Sequence, residues 1–236
     1  MNSMVRRAED RGTADFGWLD SKHSFSFGRY YDPDQMGFGV LRVINEDRVA
    51  PGRGFDEHPH QNMEILSYVI EGSLSHQDSM GNGSIIRPGD LQRMSAGTGV
   101  IHSEYNADND KPVHFLQIWI VPEKSGIEPG YEQKHFPIEQ RSGRLALIAS
   151  RSGRSGSVSL AQDVDIYAAM LTAGDQLSQK LQSDRSAWVQ AIRGSVEVDG
   201  TTLDAGDGLA IRSGSSIELE TSGEAEILLF DVPKVE

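Results

Sequence analysis

The chain has no cysteine, which excludes disulfides, thiolate metal ligands and a cysteine nucleophile. Any metal must be held by nitrogen and oxygen donors. No apolar run approaches the roughly 20 residues needed to span a membrane. No lysine- or arginine-rich stretch stands out, and the formal charge is −13 over 236 residues, so phosphate-driven attraction to nucleic acid is unfavourable. Neither a membrane nor nucleic acid is expected as a direct partner. The opening MNSMVRRAEDRGTADFGWLD carries early arginines without an apolar segment or small-residue cleavage site behind them, so the expected location is the cytoplasm. Long helical periodicity is missing too.

In its place, 25 glycines punctuate short alternating segments, among them HSFSFGRYY (23–31), LRVINEDRV (41–49), EILSYVIEG (64–72), HFLQIWIVP (114–122), AWVQAIRGSVEVDG (187–200) and AEILLFDVP (225–233). Period-two patterns bounded by Gly, Pro, Asn and Asp predict an all-β chain of barrels or sandwiches. The stretch RSGRLALIASRSGRSGSVSL (141–160) reads as a linker holding a short strand at 145–148, which divides the chain into domains 1–140 and 141–236. An internal repeat agrees with that division. VIEGSLSHQDSMGNGSIIRPGD (69–90) and AIRGSVEVDGTTLDAGD (191–207) share the order strand, Gly-Ser, polar turn, Gly-Asp, so Gly72 matches Gly194 and Gly89 matches Gly206. The two halves read as copies of one barrel. Such a pair covers its own sheet faces, and a monomer is expected.

EHPHQNME (57–64) sets His58 and His60 two apart, which on a strand puts both on one face, with Glu64 in phase if the strand runs on without a bulge. MSAGTGVIHSEYN (94–106) sets His102 and Glu104 two apart in a second extended stretch. Two antiparallel strands would bring these pairs to one point. Imidazoles with a carboxylate suit Fe²⁺, Mn²⁺, Ni²⁺, Cu²⁺ or Zn²⁺ rather than Ca²⁺ or Mg²⁺. The second copy offers no equivalent: counting from its matched glycine and aspartate reaches Lys180, Gln182, Leu219 and Thr221, and no histidine follows His135. The C-terminal domain is therefore expected to bind no metal. Of the other histidines, His114 reads as packing, and His23 and His76 as surface or turn-adjacent. Trp18, Phe25, Phe27, Trp119 and Trp188 read as core or pocket lining, and Gln117 as pointing inward.

These residues carry a resemblance. Gly52 to Gly72 resembles the first motif of the cupin superfamily and Gly97 to Asn106 the second. Within that superfamily, HPHxxxEI, the QDSMGN turn (77–82), MSAGTGVIHSEYN and the opening GWLDSKHSFSFGRYYDPDQMGFGVLRVINED (17–47) are similar to the pirin family, in particular to bacterial pirins with quercetin 2,3-dioxygenase activity. The chain departs from general cupins in having seven residues between Glu64 and Gly72, Ser95 in place of proline, and four residues between Gly97 and His102. Pirins carry the metal carboxylate in the second motif. The resemblance therefore implies His58, His60, His102 and Glu104 as ligands of one divalent transition metal ion, Fe²⁺ foremost, and leaves Glu64 a supporting or structural role.

The implied fold is a bicupin of two fused antiparallel jelly-roll β-barrels. The implied activity is metal-dependent dioxygenation of a quercetin-like flavonol by O₂ with release of CO, Glu104 serving also as the catalytic base for the flavonol 3-hydroxyl. A rival implication is a metal-containing regulatory protein whose partner binding follows the redox state of its metal, with flavonol turnover incidental.

Overall fold

The alternating segments pair as antiparallel ladders, because β-branched and aromatic side chains pack well on a pleated surface. The computed structural model describes residues 3–214 and 216–235, which divide into two units. Residues 12–135 with 158–162 form the N-terminal unit; residues up to 11, 136–157 and from 163 onward form the C-terminal unit. A single cut after residue 140 does not reproduce this division. The first strand, β1 (Ser3–Arg6), covers an edge of the C-terminal unit. The expected linker contains a short helix (Ile138–Arg141) and a strand one to two residues later than the apolar run suggested. Among the described residues no helix is long and apolar enough to cross a membrane.

In the N-terminal unit β2 (Gly12–Asp15), β3 (Leu19–His23), β4 (Leu41–Val49), β5 (Gly54–His60), β6 (Glu64–Glu71), β7 (Leu74–Asp78), β8 (Gly83–Ile86), β9 (Asp90–Ser95), β10 (Val100–Asn106), β11 (Val113–Ile120) and β12 (Gly130–His135) make two sheets. One has the order β12-β9-β6-β11-β4-β3-β2 and the other β5-β10-β7-β8. The two sheets face each other across an apolar core in which Leu19, Val49, Val69 and Phe115 of the first meet Leu74 and Ile86 of the second. Burying each such side chain is worth about 1.5–3 kcal/mol. Among the described residues no ladder joins the sheets, so the unit is a jelly-roll sandwich with open edges rather than a closed barrel. Pro59, with no N–H to give a further ladder, lies in the edge strand β5.

The C-terminal unit repeats the plan with β13 (Ala146–Ser150), β15 (Asp165–Leu171), β16 (Gln176–Lys180), β17 (Arg185–Val198), β18 (Thr201–Asp204), β19 (Gly208–Ile211), β20 (Ser216–Glu220) and β21 (Ala225–Pro233), while the short β14 (Val158–Ser159) falls within the N-terminal unit. β17 carries a bulge between Ala191 and Arg193 and pairs with four strands, with β19 up to Gln190, with β21 across the bulge up to Gly194, and with β18 and β20 from Ser195 onward. The matched glycines are structurally matched as well. Gly72 and Gly194 both have positive φ (78° and 66°), as do Gly89 and Gly206 (94° and 91°). The following aspartates cap the same turn: Arg87 N donates to Asp90 Oδ2 at 2.9 Å, and Asp204 N to Asp207 Oδ2 at 3.1 Å.

Candidate metal centre

β10 lies between β5 and β7, and antiparallel pairing sets the site. His102 stands opposite His58 on one side and Asp78 on the other; Glu104 stands opposite Phe55 and His76, with a register shift between His102 and Glu104 on the β5 side. Alternation turns His102 and Glu104 inward, 2% exposed each, while Ile101 faces out at 48%. The imidazole rings of His58, His60 and His102 cluster with centroids 4.4–4.8 Å apart. One ligand atom from each of the three lies within 4.8 Å of the others, and the same is true of His76, His102 and Glu104, so two groups share His102.

Glu64 joins neither group. The strand does not run on from His60: Asn62 takes a left-handed φ of 52°, and Glu64 restarts the chain in β6, in the other sheet. Its Oε2 accepts from the backbone N of Ala161 at 3.1 Å. His76, expected near the surface, is fully buried. It lies two residues before Asp78 on the same strand face, donating from Nε2 to Asp78 Oδ2 at 3.2 Å, while its Nδ1 has no hydrogen-bond partner. His23, also expected at the surface, is buried in the same unit, whereas His114 is a packing residue bonded to Glu46 Oε1 at 2.8 Å. Gln117 does point inward, donating from Nε2 to Glu104 Oε2 at 2.6 Å, and Ser67 Oγ donates to Glu104 Oε1 at 3.0 Å.

The electrostatics favour a cation. Burial, reinforced by the neighbouring imidazoles, pushes His60 down to about 4 and His102 to about 2, so both rings are neutral near pH 7 with lone pairs available. Both ring nitrogens of His102 are buried without a hydrogen-bond partner, a costly arrangement that metal coordination would relieve. His58 donates from Nδ1 to the Asp56 carbonyl at 2.7 Å, which fixes the ring and leaves Nε2 for another partner. Burial raises the Glu104 carboxyl to about 7, and the Asp47 carboxyl adds to the rise. Three clustered imidazoles, of which His60 and His102 are held neutral, and the buried Glu104 carboxyl form a donor set that fits a borderline divalent ion.

The N-terminal part of the chain matches the family model described as Pirin over residues 4–120, and residues 147–232 match that of the quercetinase C-terminal cupin domain. A curated quercetin 2,3-dioxygenase of Escherichia coli K12 is 46% identical over 98% of this chain and 99% of its own length. The chain belongs to the pirin family. A pirin-like protein of Caulobacter vibrioides is 42% identical, covering 93% of this chain and 95% of its own. The crystal structure of bacterial pirin YhhW from Escherichia coli in complex with nickel(II) superposes with a TM-score of 0.94 at 44% identity, covering 99% of this chain and 100% of that one. The pirin assignment accounts for both units, the all-β bicupin architecture and the repeat between them.

Proposed function

We propose that this pirin is a metal-dependent dioxygenase of flavonol-like substrates, with one divalent transition ion held by His58, His60, His102 and Glu104. The observation that carries the reading is His102, buried beside the imidazoles of His58 and His60 with neither of its ring nitrogens hydrogen-bonded. The names of the curated relatives and the nickel complex of a pirin support it. Once bound, such an ion supplies Lewis-acid polarisation of a substrate oxygen and one-electron chemistry toward O₂; the structure favours none of Fe²⁺, Mn²⁺, Ni²⁺, Cu²⁺ and Zn²⁺, and Fe²⁺ is our first choice.

The remaining work belongs to side chains. Glu104, buried beside His102 and His76, takes the proton of the substrate's enolic hydroxyl. Gln117 and Ser67 hold the carboxyl in place through that transfer. Trp119, edge-on to His60 at 5.0 Å, and Phe27, edge-on to Trp119 at 5.2 Å, wall the site and keep water from the electron-rich ring. The flavonol ring opens as both atoms of O₂ enter the product and carbon monoxide leaves.

The test is carbon monoxide released from quercetin in air by protein stripped of metal and reloaded with each of the five ions, beside His58→Ala. Metal-dependent release is expected, with loss of at least a hundredfold in the variant; absence of release with every ion would overturn the reading.

A further inference from the structure

A cavity of about 330 Å³ lies in the N-terminal unit beside the histidine cluster, between β2–β4 and the 24–31 loop. Its walls are aromatic: Phe16, Phe27, Tyr30 and Phe55. Two links tie it to the site. Phe55 is the strand partner of Glu104, and Phe27 packs on Trp119, which packs on His60.

The cavity floor breaks the pattern expected of a sandwich interior. In β3 and β4 the inward positions next to Leu19 and Val49 are Ser21 with Asp47, then His23 with Asn45, and the row continues to Gln117 on β11. All five are buried, and burying polar groups costs free energy unless hydrogen bonds compensate. The compensation is incomplete and one-sided. Ser21 Oγ donates to Asp47 Oδ1 and accepts from His23 Nε2 at 2.8 Å, which fixes the carboxyl. Among the described residues Asp47 has no other side-chain hydrogen bond, and the buried Asn45 Oδ1 has none at all. The floor thus offers Asn45 Oδ1 as an unpaired acceptor and a second Asp47 oxygen that accepts as carboxylate or donates as carboxyl; ring hydroxyls, which both donate and accept, can meet either, and the flat walls call for an aromatic ring. A cationic amine would have to share the cavity with the Arg29 guanidinium; hydroxyl groups on an aromatic ring meet no such opposition.

We propose that Asp47 and Asn45 bind ring hydroxyls of a phenolic substrate, at the end of the molecule remote from the hydroxyl that Glu104 deprotonates. Ser21 and His23 are positioning residues that hold the Asp47 carboxyl for this contact. The proposal rests on the dioxygenase reading for the identity of the substrate and adds which part of it is selected. Sites built to bond a hydroxyl discriminate strongly against analogues that lack it, because the buried acceptors are then left unpaired.

The test compares quercetin, hydroxylated on both outer rings, with 3-hydroxyflavone, which keeps only the enolic hydroxyl, on the metal-loaded full-length chain. Equilibrium binding without oxygen and steady-state turnover in air are both measured for wild type, Asp47→Asn and Asn45→Leu, with metal content and Tm confirming each fold. Wild type is expected to bind quercetin at least tenfold more tightly than 3-hydroxyflavone. Each variant is expected to lose most of that preference through KM for quercetin, leaving 3-hydroxyflavone within about threefold. The Ser21→Ala variant, milder in volume, is expected to lose part of it. Equal affinity for both flavonols in wild type, or an equal loss on both in the variants, would overturn the proposal. The binding arm needs no turnover, so a chain that prefers quercetin through Asp47 yet releases no carbon monoxide would sustain this inference while refuting the dioxygenase.

Discussion

Single residues carry the chemistry, and the buried carboxyls are the most exposed to a test. Asp47 is 4% exposed, and burial, with Glu46 and Asp20 adding to it, raises its carboxyl to about 7 from 3.8. The folded chain therefore holds a proton that the unfolded chain has released between about pH 4 and 7. Stability from this group is fully present below the lower value and is lost as pH rises through the upper one. In metal-free protein, urea unfolding at pH 5 and pH 8 should show wild type losing on the order of 3 kcal/mol more than Asp47→Asn across that interval; parallel losses would show that Asp47 is ionised in the fold. The proposed ligands His58, His60, His102 and Glu104 were legible because two-residue spacing is enough to put side chains on one strand face. His76 and Asp78 have that spacing too, and the same rule could have joined them to the site. They were missed because the QDSMGN turn that follows suggested a surface location, whereas it is the pairing of β7 with β10 that buries them.

At the scale of elements, the site depends on how closely β5 and β10 run. Gly54 lies opposite Tyr105, and a Cβ there would meet the Glu104 carbonyl oxygen at 2.2 Å and Tyr105 Cα at 2.5 Å. Both are backbone atoms, which cannot swing aside. Gly54→Ala should therefore push β10 away at Glu104, cost about 1–3 kcal/mol or more, and lower the metal bound per chain without altering any ligand. Metal analysis after dialysis checks this, and full retention would mean that the strands tolerate the wider spacing. Strand existence was readable from alternation in β4, β6 and β11. The 23–31 segment was not, since HSFSFGRYY alternates like a strand but leaves the ladder after His23 and closes through a bridge between Phe27 and Tyr30 around Gly28, whose φ is 60°. That departure forms one wall of the cavity, so the cavity was invisible to periodicity.

Across the whole molecule, two copies of one fold carry the proposed ligand set once, in the N-terminal unit, and no histidine follows His135. Counting from the glycines led to Lys180 and Gln182 as counterparts of the first two histidines, but in the ladder of β16 with β20 Lys180 is the last paired residue, opposite Ser216, and the inward pair is Leu177 with Leu219. Loop lengths between the copies differ, so a count drifts where a register does not. Leu219 lies, with Leu177 packed against it, in an apolar core that includes Leu203, Val196 and Ile217, an interior that gives stability without metal chemistry. The metal should therefore bind at one ion per chain and stabilise only through the N-terminal unit. An ion at a hundred times its dissociation constant adds about 2.7 kcal/mol to the unit that binds it. Calorimetry of the full chain with and without a chelator should show a metal-dependent rise in Tm for wild type and none for His58→Ala with His102→Ala. A rise that survives in the double variant, or a stoichiometry near two, would place a second ion elsewhere in the chain and remove the asymmetry between the copies on which the single-centre reading depends.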